Sequence, residues 1–248
     1  MKYLNNLVSI IIPTYNCEKY ILNTIKSVIN QTYNNWELII IDDHSPDSTS
    51  KVVSDYINKN NLANKIKLIR NEYNRGCYCS LNVGIQNSKG SYLCILGSDD
   101  TYDINKLKLQ TQILDNYDKF ICTMGYYKRA NKVIRRNKMT VCTAMFRRKV
   151  IDKIGYFDSV RYSADDEFMR RMIKVYGDNK IHMMKKILYY AIIRIGSLTQ
   201  SKKTGYKNKN RKQYWNTAIK WQDNNKKLYI SFPLKKRPFS VAKEMIGH

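Results

Sequence analysis

Residues 92–100 read YLCILGSDD, an apolar run that ends in two adjacent carboxylates. The apolar run predicts a buried strand, and Asp99 and Asp100 would stand at its carboxyl end. Two carboxylates without partners would be costly to bury there. A divalent metal bound to a diphosphate would offset that cost, because hard cations take oxygen ligands and keep substrate phosphates in their shell. The alternative is a solvated turn, with Asp100 or Thr101 as the N-cap of a following helix.

The first hundred residues alternate strand and helix patterns. Runs typical of buried strands lie at 7–12, where Pro13 is expected to end the strand, and at 37–41, 66–69 and 92–96. Apolar residues at helical spacing lie between these runs, at 18–29, 48–58 and 79–87. This alternation predicts an α/β fold, in which a mostly parallel, Rossmann-like sheet carries helices on both faces.

Polar residues follow each of the four predicted strands. They are Pro13-Thr14-Tyr15-Asn16, Asp42-Asp43, the segment 71–75, and Asp99-Asp100. Ligands of parallel sheets bind outside the carboxyl ends of the strands. We therefore expect the four clusters to converge on one cleft.

The second half of the chain is less regular. Helical spacing recurs at 104–116, 165–176 and 210–224, strand patterns occur at 120–126, 140–146 and 181–195, and Gly155 marks a turn. From residue 204 onward the chain is basic and polar.

Composition limits the class of protein. The net charge is +24, from 44 Lys and Arg against 20 Asp and Glu, which favours polyanionic partners without choosing among them. The six cysteines form no paired metal motif and are expected to be reduced thiols. No secretory signal pattern is visible, and no stretch approaches the roughly 20 apolar residues of a membrane span. We therefore expect a cytoplasmic protein.

Several motifs resemble those of family 2 glycosyltransferases, in the same order and at similar spacing. They are VSIIIPTYN at 8–16, QTY at 31–33, IDDHS at 41–45, NRG at 74–76 with LNVG at 81–84, and GSDD at 97–100. The resemblance covers about residues 7–200. It implies a GT-A fold over residues 1–203, with a nucleotide-binding half at 1–100 and an acceptor half at 101–203. A basic helical extension at 204–248 would follow.

The resemblance also implies the reaction, which is transfer of a hexosyl or N-acetylhexosaminyl group from a nucleotide diphosphate donor, in particular a UDP-sugar. The acceptor would be a hydroxyl of a glycan, a lipid-linked molecule or a protein. A uracil ring N–H needs an acceptor, and Asp43 or Asp42 would supply it. Pro13, Thr14 and Tyr15 would flank the base.

Further donor contacts are expected from four residues. Arg75 would touch the diphosphate or the base, and Ser98 would lie beside the donor with Asp99. Arg194, followed by Ser197 and Thr199, is similar to the loop that closes over the diphosphate in relatives. Those relatives often have a histidine near position 196, where this chain has glycine.

A metal ion and a catalytic base complete the predicted site. Asp99 and Asp100 would hold Mn²⁺ or Mg²⁺, which stabilises the charge of the leaving diphosphate. The acceptor proton needs a carboxylate base, and the stretch YSADDEF at 162–168 offers two candidates at a helix start. In the resembling family, an acid at this helix start is the base of an inverting displacement. Aligning the family motif on Glu167-Phe168 makes Asp165 that base, whereas aligning it on the Glu-Asp pair common in relatives makes it Asp166. Alternatively, these acids only favour the helix dipole.

Other functions remain open at this point. The charge would suit a nucleic-acid-binding protein, but no nucleic-acid fingerprint is present, so no specific nucleic acid is expected. A nucleotidyltransferase would need a glycine-rich loop after the first strand, and residues 13–16 contain no glycine. The basic segment 228–248 would either lie on an anionic membrane or pack on the domain.

Overall fold

The computed structural model of the chain describes residues 3–130, 132–134, 140–193, 204–205 and 208–246. It confirms the alternation predicted for the first hundred residues. The elements are β1 (Leu4–Thr14), α1 (Ile21–Ile29), β2 (Trp36–Asp42), α2 (Thr49–Lys59), β3 (Ile66–Arg70), α3 (Cys77–Gln86) and β4 (Gly90–Ile95). Pro13 does not end β1, because pairing with β2 continues to Thr14, whose carbonyl accepts the Asp43 N–H at 2.8 Å.

Among the described residues, the second half contributes five strands and four α-helices. They are β5 (Thr101–Tyr102), α4 (Lys106–Asn116), β6 (Cys122–Arg129), β7 (Lys132–Ile134), β8 (Met145–Arg147), α5 (Lys149–Ile154), α6 (Ala164–Tyr176), β9 (Ile181–Ala191) and α7 (Lys209–Asn224). The predicted strand 181–195 ends at Ala191, and its last two residues lie outside the described residues. The sequence patterns did not predict α5, a helix of 6 residues.

The strand predicted at 140–146 is mostly wrong. Val141–Thr143 form a 3-10 turn, and only Met145–Arg147 form a strand. The Thr143 and Ala144 N–H groups donate to the carbonyls of Thr140 and Val141 at 3.0 Å, so the turn uses amides that a strand would offer to its neighbours.

One mixed sheet organises the domain, in the order β3-β2-β1-β4-β8-β6-β9-β5, with β7 paired to β6. Pairing is parallel among β1, β2, β3 and β4, and also between β6 and β9. β8 runs antiparallel to both β4 and β6, so six strands share one direction. Their carboxyl ends therefore lie at the same edge of the sheet.

Both faces of the sheet are buried, as expected for parallel strands between helices. Along β1, Ile10 and Ile12 face α1, α2 and α4, whereas Ile11 faces the side covered by α3, α5, α6 and α7. All three isoleucines are fully buried, and each contributes about 1.5–3 kcal/mol. Helix α3 packs so closely on β1 that a Cβ at Gly84 would lie 2.4 Å from Ile11 Cγ2.

The basic C-terminal segment packs on the domain. Tyr214 of α7 is buried in the core beneath the sheet, and Leu228, Ile230 and Met245 are buried farther along the chain. The Tyr156 N–H donates to the Ile230 carbonyl at 2.8 Å. No helix within the described residues has the length and apolar character needed to cross a membrane.

Two buried ion pairs accompany this packing. Arg171 and Glu167 of α6 pair with no exposed side-chain area, and Gln222 of α7 donates to Glu167 Oε1 at 2.8 Å. Arg237 pairs with Asp158, whose side chain is fully buried. Burial raises the pKa of Asp158 to about 6, and the Arg237 charge acts in the opposite direction.

We expect Arg237→Ala to lower the free energy of unfolding by about 3 kcal/mol near pH 8, because it leaves a buried carboxylate without its cation. Ionisation of Asp158 already opposes folding as the pH rises through about 6, and loss of Arg237 enlarges that penalty. The deficit should therefore shrink near pH 5, where Asp158 is protonated in both proteins. Urea denaturation at both pH values measures it.

Lys236→Ala is the matched control, since it removes the same charge from a neighbouring exposed side chain. Two results would contradict the role of Arg237 as the counter-ion of Asp158. One is a loss of unfolding free energy in Arg237→Ala no larger than in Lys236→Ala, and the other is a loss that is equal at both pH values.

Candidate active site

The turn after β4 is held by the end of β9. The Tyr189 hydroxyl donates to Asp100 Oδ2 at 2.5 Å, and the Ile192 N–H donates to Asp100 Oδ1 at 2.7 Å. The Gly97 N–H donates to the same tyrosine oxygen at 3.2 Å. A Cβ at Gly97 would lie 2.8 Å from Asp100 Oδ2, so glycine leaves room for the carboxylate.

Asp100 sits in an environment that favours a nearby cation. Burial and then the Asp99 charge raise the pKa of Asp100 to about 6, although Tyr189 and Ile192 stabilise its ionised form. Among the described residues, no group of three or more His, Cys, Asp or Glu side chains is arranged to hold a metal. Two carboxylates fit a magnesium or manganese ion whose other ligands are water and substrate phosphates.

Ser98 is turned into the protein. Its side chain is 8% exposed, its Oγ lies 3.0 Å from Cys17 Sγ, and its carbonyl accepts a hydrogen bond from Thr24 Oγ1 at 3.0 Å. These contacts tie the turn after β4 to α1.

Asp42 is fully buried, and both of its carboxylate oxygens bind donors of the protein. Oδ1 accepts from the Ser45 N–H at 3.0 Å and from the Ser45 hydroxyl. Oδ2 accepts from the Ser50 hydroxyl and from Arg70 Nη1, the latter at 2.9 Å. Asp42 therefore fixes the loop between β2 and α2.

Asp43 organises the loop after β3. Its Oδ1 accepts from Asn71 Nδ2 and from the Arg75 N–H, both at 2.8 Å, and its Oδ2 accepts from the Gly76 N–H at 2.8 Å. Because a carboxylate oxygen can accept two hydrogen bonds, Oδ2 has capacity for one further donor. Of the two adjacent acids, Asp43 is thus the one that can still accept a donor from a ligand.

Aromatic side chains border this region. Tyr15 after β1 is 47% exposed and Tyr73 after β3 is 50% exposed. The Arg75 guanidinium lies over the Tyr73 ring at 5.8 Å. Thr14 is buried, and its Oγ1 has no hydrogen-bond partner among the described residues.

Asp165 and Asp166 differ in their surroundings. The Tyr78 hydroxyl donates to Asp165 Oδ1 at 2.6 Å, whereas Asp166 is exposed. Burial and the Asp165 charge raise the pKa of Tyr78 well above its usual value, so the phenol stays a donor. Ser163, with φ of 76°, turns the chain into α6 immediately before these acids.

The pKa values of two thiols, Cys77 and Cys142, are raised by burial and by nearby carboxylates. Burial, followed by the charges of Asp165, Asp43 and Asp99, raises the pKa of Cys77 to about 12. Burial, followed by Asp100 and Asp165, raises the pKa of Cys142 to about 12. These contributions agree with the strand directions, which place the acids after β2 and β4 at one edge of the sheet.

The sequence patterns missed several residues of this site. Tyr78 and Tyr189 hold the acids, and Arg129 at the end of β6 lies close enough to lower the pKa of Asp100. Arg211 of α7 donates to Ser163 Oγ at 2.8 Å, which brings the C-terminal segment to the start of α6. No local sequence signal marks these four residues. Arg194, with Ser197 and Thr199, lies outside the described residues.

Comparisons with known proteins identify the family of the chain. The family model described as Glycosyl transferase family 2 matches residues 9–175. An uncharacterized glycosyltransferase of Rickettsia typhi, RT0329, is 30% identical over 210 residues, which is 73% of this chain and 64% of that protein.

A second relative has a named activity. The Escherichia coli protein WfgD, described as UDP-Glc:alpha-D-GlcNAc-diphosphoundecaprenol beta-1,3-glucosyltransferase, is 40% identical over 108 residues, or 44% of this chain and 41% of WfgD. The chain thus spans less than two thirds of the length of either relative.

Among solved structures, that of S. aureus TarS residues 1–349 in complex with UDP-GlcNAc has a TM-score of 0.65 and 26% identity. The match covers 79% of this chain and 60% of that one. The fold is therefore the GT-A fold.

We expect Asp42→Asn to lower the free energy of unfolding by about 3 kcal/mol, because it weakens the hydrogen bonds that a fully buried carboxylate accepts from Ser45, Ser50 and Arg70. Thermal and urea denaturation measure the change. Asp55→Asn is the control, since Asp55 pairs with Lys51 on the surface and should cost less than about 1 kcal/mol. Equal losses in the two variants would contradict the structural role of Asp42.

Proposed function

The chain belongs to glycosyl transferase family 2, and on that basis we propose that it is a metal-dependent inverting glycosyltransferase. It transfers a sugar from a nucleotide diphosphate donor to an acceptor hydroxyl. The observation that carries the proposal is the position of Asp43, Asp99 and Asp100 just after the parallel strands β2 and β4, with Asp100 held by Tyr189 and Asp165 held by Tyr78 of α3.

The donor in this proposal is a UDP-sugar. Asp43 Oδ2 accepts the uracil ring N–H, and Tyr15, with Pro13 and Thr14 before it, flanks the base. Arg75 lies between the base and the diphosphate. In this proposal, Asp42 fixes the loop between β2 and α2, Ser98 fixes the turn after β4, and neither contacts the donor. The contact of Arg194 with the diphosphate stays a prediction. The named UDP-sugar activity of WfgD and the UDP-GlcNAc complex of TarS support this donor class.

Asp99 and Asp100 are the proposed ligands of Mn²⁺ or Mg²⁺. When bound, the ion would neutralise the charge that develops on the leaving diphosphate. Tyr189 and the Ile192 N–H hold the Asp100 carboxylate, so its orientation is fixed before the donor arrives. Such preorganisation lowers the cost of binding charge at the moment of reaction.

Asp165 is the proposed base. Tyr78 occupies its Oδ1 and leaves Oδ2 to take the proton of the acceptor hydroxyl. The hydroxyl oxygen forms the new bond to the anomeric carbon while the bond to the diphosphate oxygen breaks, which inverts that carbon. Asp166 is the weaker candidate, because it is exposed.

The sugar is proposed to be a hexose or an N-acetylhexosamine, and the acceptor a glycan, a lipid-linked molecule or a protein. Contact with an anionic membrane would involve exposed lysines of the segment 228–246, since Leu228, Ile230 and Met245 are buried. No observation favours a nucleic-acid-binding protein or a nucleotidyltransferase.

We expect UDP with Mn²⁺ or Mg²⁺ to stabilise the protein by about 2.7 kcal/mol at a hundredfold excess over Kd. Differential scanning fluorimetry with UDP, GDP, CDP and ADP, each with and without metal, measures it. Asp100→Asn should abolish turnover and the metal-dependent part of the shift, whereas Asp103→Asn should retain both. The proposal fails if no nucleoside diphosphate stabilises the wild-type protein.

We expect Asp165→Asn to keep UDP binding and to lower kcat by about 10²–10⁴-fold, because it removes the base. Asp166→Asn should stay within a few-fold of wild type. Tyr78→Phe should lower kcat about tenfold with an unchanged KM for the donor, because it frees the Asp165 carboxylate. Donor hydrolysis and transfer assays measure these values, and a normal kcat for Asp165→Asn would refute its role.

A further inference from the structure

A row of three residues crosses the sheet at the end of β6. Arg129 is paired with Lys132 of β7 on one side and with Ala191 of β9 on the other. Residues directly opposite each other project from the same face of a sheet, with Cβ atoms about 4.5–5.5 Å apart. Two cations therefore stand side by side, and the small Ala191 leaves space next to them.

This pair of cations has no counter-ion in the described structure. The Arg129 Nε is buried without a hydrogen-bond partner, and no ion pair engages either side chain among the residues described. The Arg129 guanidinium lies over the Tyr127 ring at 5.9 Å, and this contact leaves the positive charge of the guanidinium in place. Like charges directly opposite on a sheet repel each other, and an anion between them would remove that repulsion.

The row lies next to the proposed metal ligands. Ala191 precedes Ile192, whose N–H binds Asp100, and Tyr189, two residues before Ala191 and on the same face, donates to Asp100. The pKa of Asp100 is raised by burial and by Asp99, and Arg129 is one of the groups that lower it. Arg129 is thus close to Asp100 without forming an ion pair with it.

We propose that Arg129 and Lys132 bind a phosphate group carried by the acceptor. The inference rests on the proposed function and deepens it by naming the acceptor class, a phosphate-bearing molecule. A guanidinium offers several donors to phosphate oxygens, and the lysine adds a point charge. A phosphate bound here would place the rest of the acceptor beside Asp100.

The order of the strands favours the acceptor over the donor as the carrier of this phosphate. Asp43 lies at the end of β2 and Tyr15 after β1, whereas Arg129 lies on β6, so β4 and β8 separate the proposed base contacts from the pair Arg129 and Lys132. Asp100 directly precedes β5 and is held by the end of β9, the other neighbour of β6. The pair therefore borders the metal ligands on a side away from the proposed base contacts.

The test uses glycerol 3-phosphate as the probe and glycerol as the probe without phosphate. Each is titrated calorimetrically into the full chain saturated with UDP and Mg²⁺. We expect the wild-type protein to bind glycerol 3-phosphate and not glycerol. Arg129→Gln should weaken binding about tenfold or more, Arg129→Lys less, and Lys132→Ala a few-fold.

Lys128→Ala is the matched control. It removes one positive charge at the adjacent position of β6, where alternation along the strand turns the side chain to the opposite face. Its affinity should stay within about twofold of wild type. Thermal melting of Arg129→Gln and Arg129→Lys verifies that both variants are folded.

Several results would overturn the inference. Absence of binding to the wild type would do so, as would an equal loss in Lys128→Ala, which would indicate general charge attraction. Loss of wild-type binding on addition of UDP would assign Arg129 to the donor diphosphate. The UDP-induced thermal shift is measured on the same samples. Failure of UDP to bind counts against the proposed function. A normal UDP shift without binding of glycerol 3-phosphate counts against the phosphate site alone.

Discussion

Strand β8 has three residues, and its direction determines where the rest of the site can form. It pairs antiparallel with β4 on one side and with β6 on the other, so β6 and β9 run in the same direction as β1–β4. Without that reversal, Arg129 and Ile192 would stand at the far edge of the sheet from Asp43. The reversal brings the ends of both halves of the chain to one edge, where carboxylates and cations meet.

Each acid at this edge is held by a donor from a different element. Asp42 is held by Arg70 of β3, Asp43 by the loop that follows β3, Asp100 by β9, and Asp165 by Tyr78 of α3. A carboxylate fixed in this way loses little freedom when a ligand binds. The same hydrogen bonds that stabilise the loops therefore also orient the groups proposed to act on substrate.

Much of the first half was predictable from the sequence, because strands buried on both faces leave continuous apolar runs such as Leu38 to Ile41. The residues that complete the site could not be predicted from the sequence. Tyr78 and Asp165 are 87 positions apart, and Tyr189 and Asp100 are 89 apart, so no local pattern relates them. Nor could spacing decide between Asp42 and Asp43, since that choice depends on which side chain meets Arg70 across the sheet.

The packing of α7 has a consequence for how the protein can be divided. The family match ends at residue 175, yet Tyr214, Ile230 and Met245 complete the core on which α6 rests. The stretch that the family model matches is thus smaller than the unit that folds. A chain shortened to residues 9–175 would leave Phe168 and Met172 beside an open apolar face and would leave Glu167 without Gln222. Such a fragment is expected to aggregate, so the last forty or so residues are needed for solubility as much as for shape.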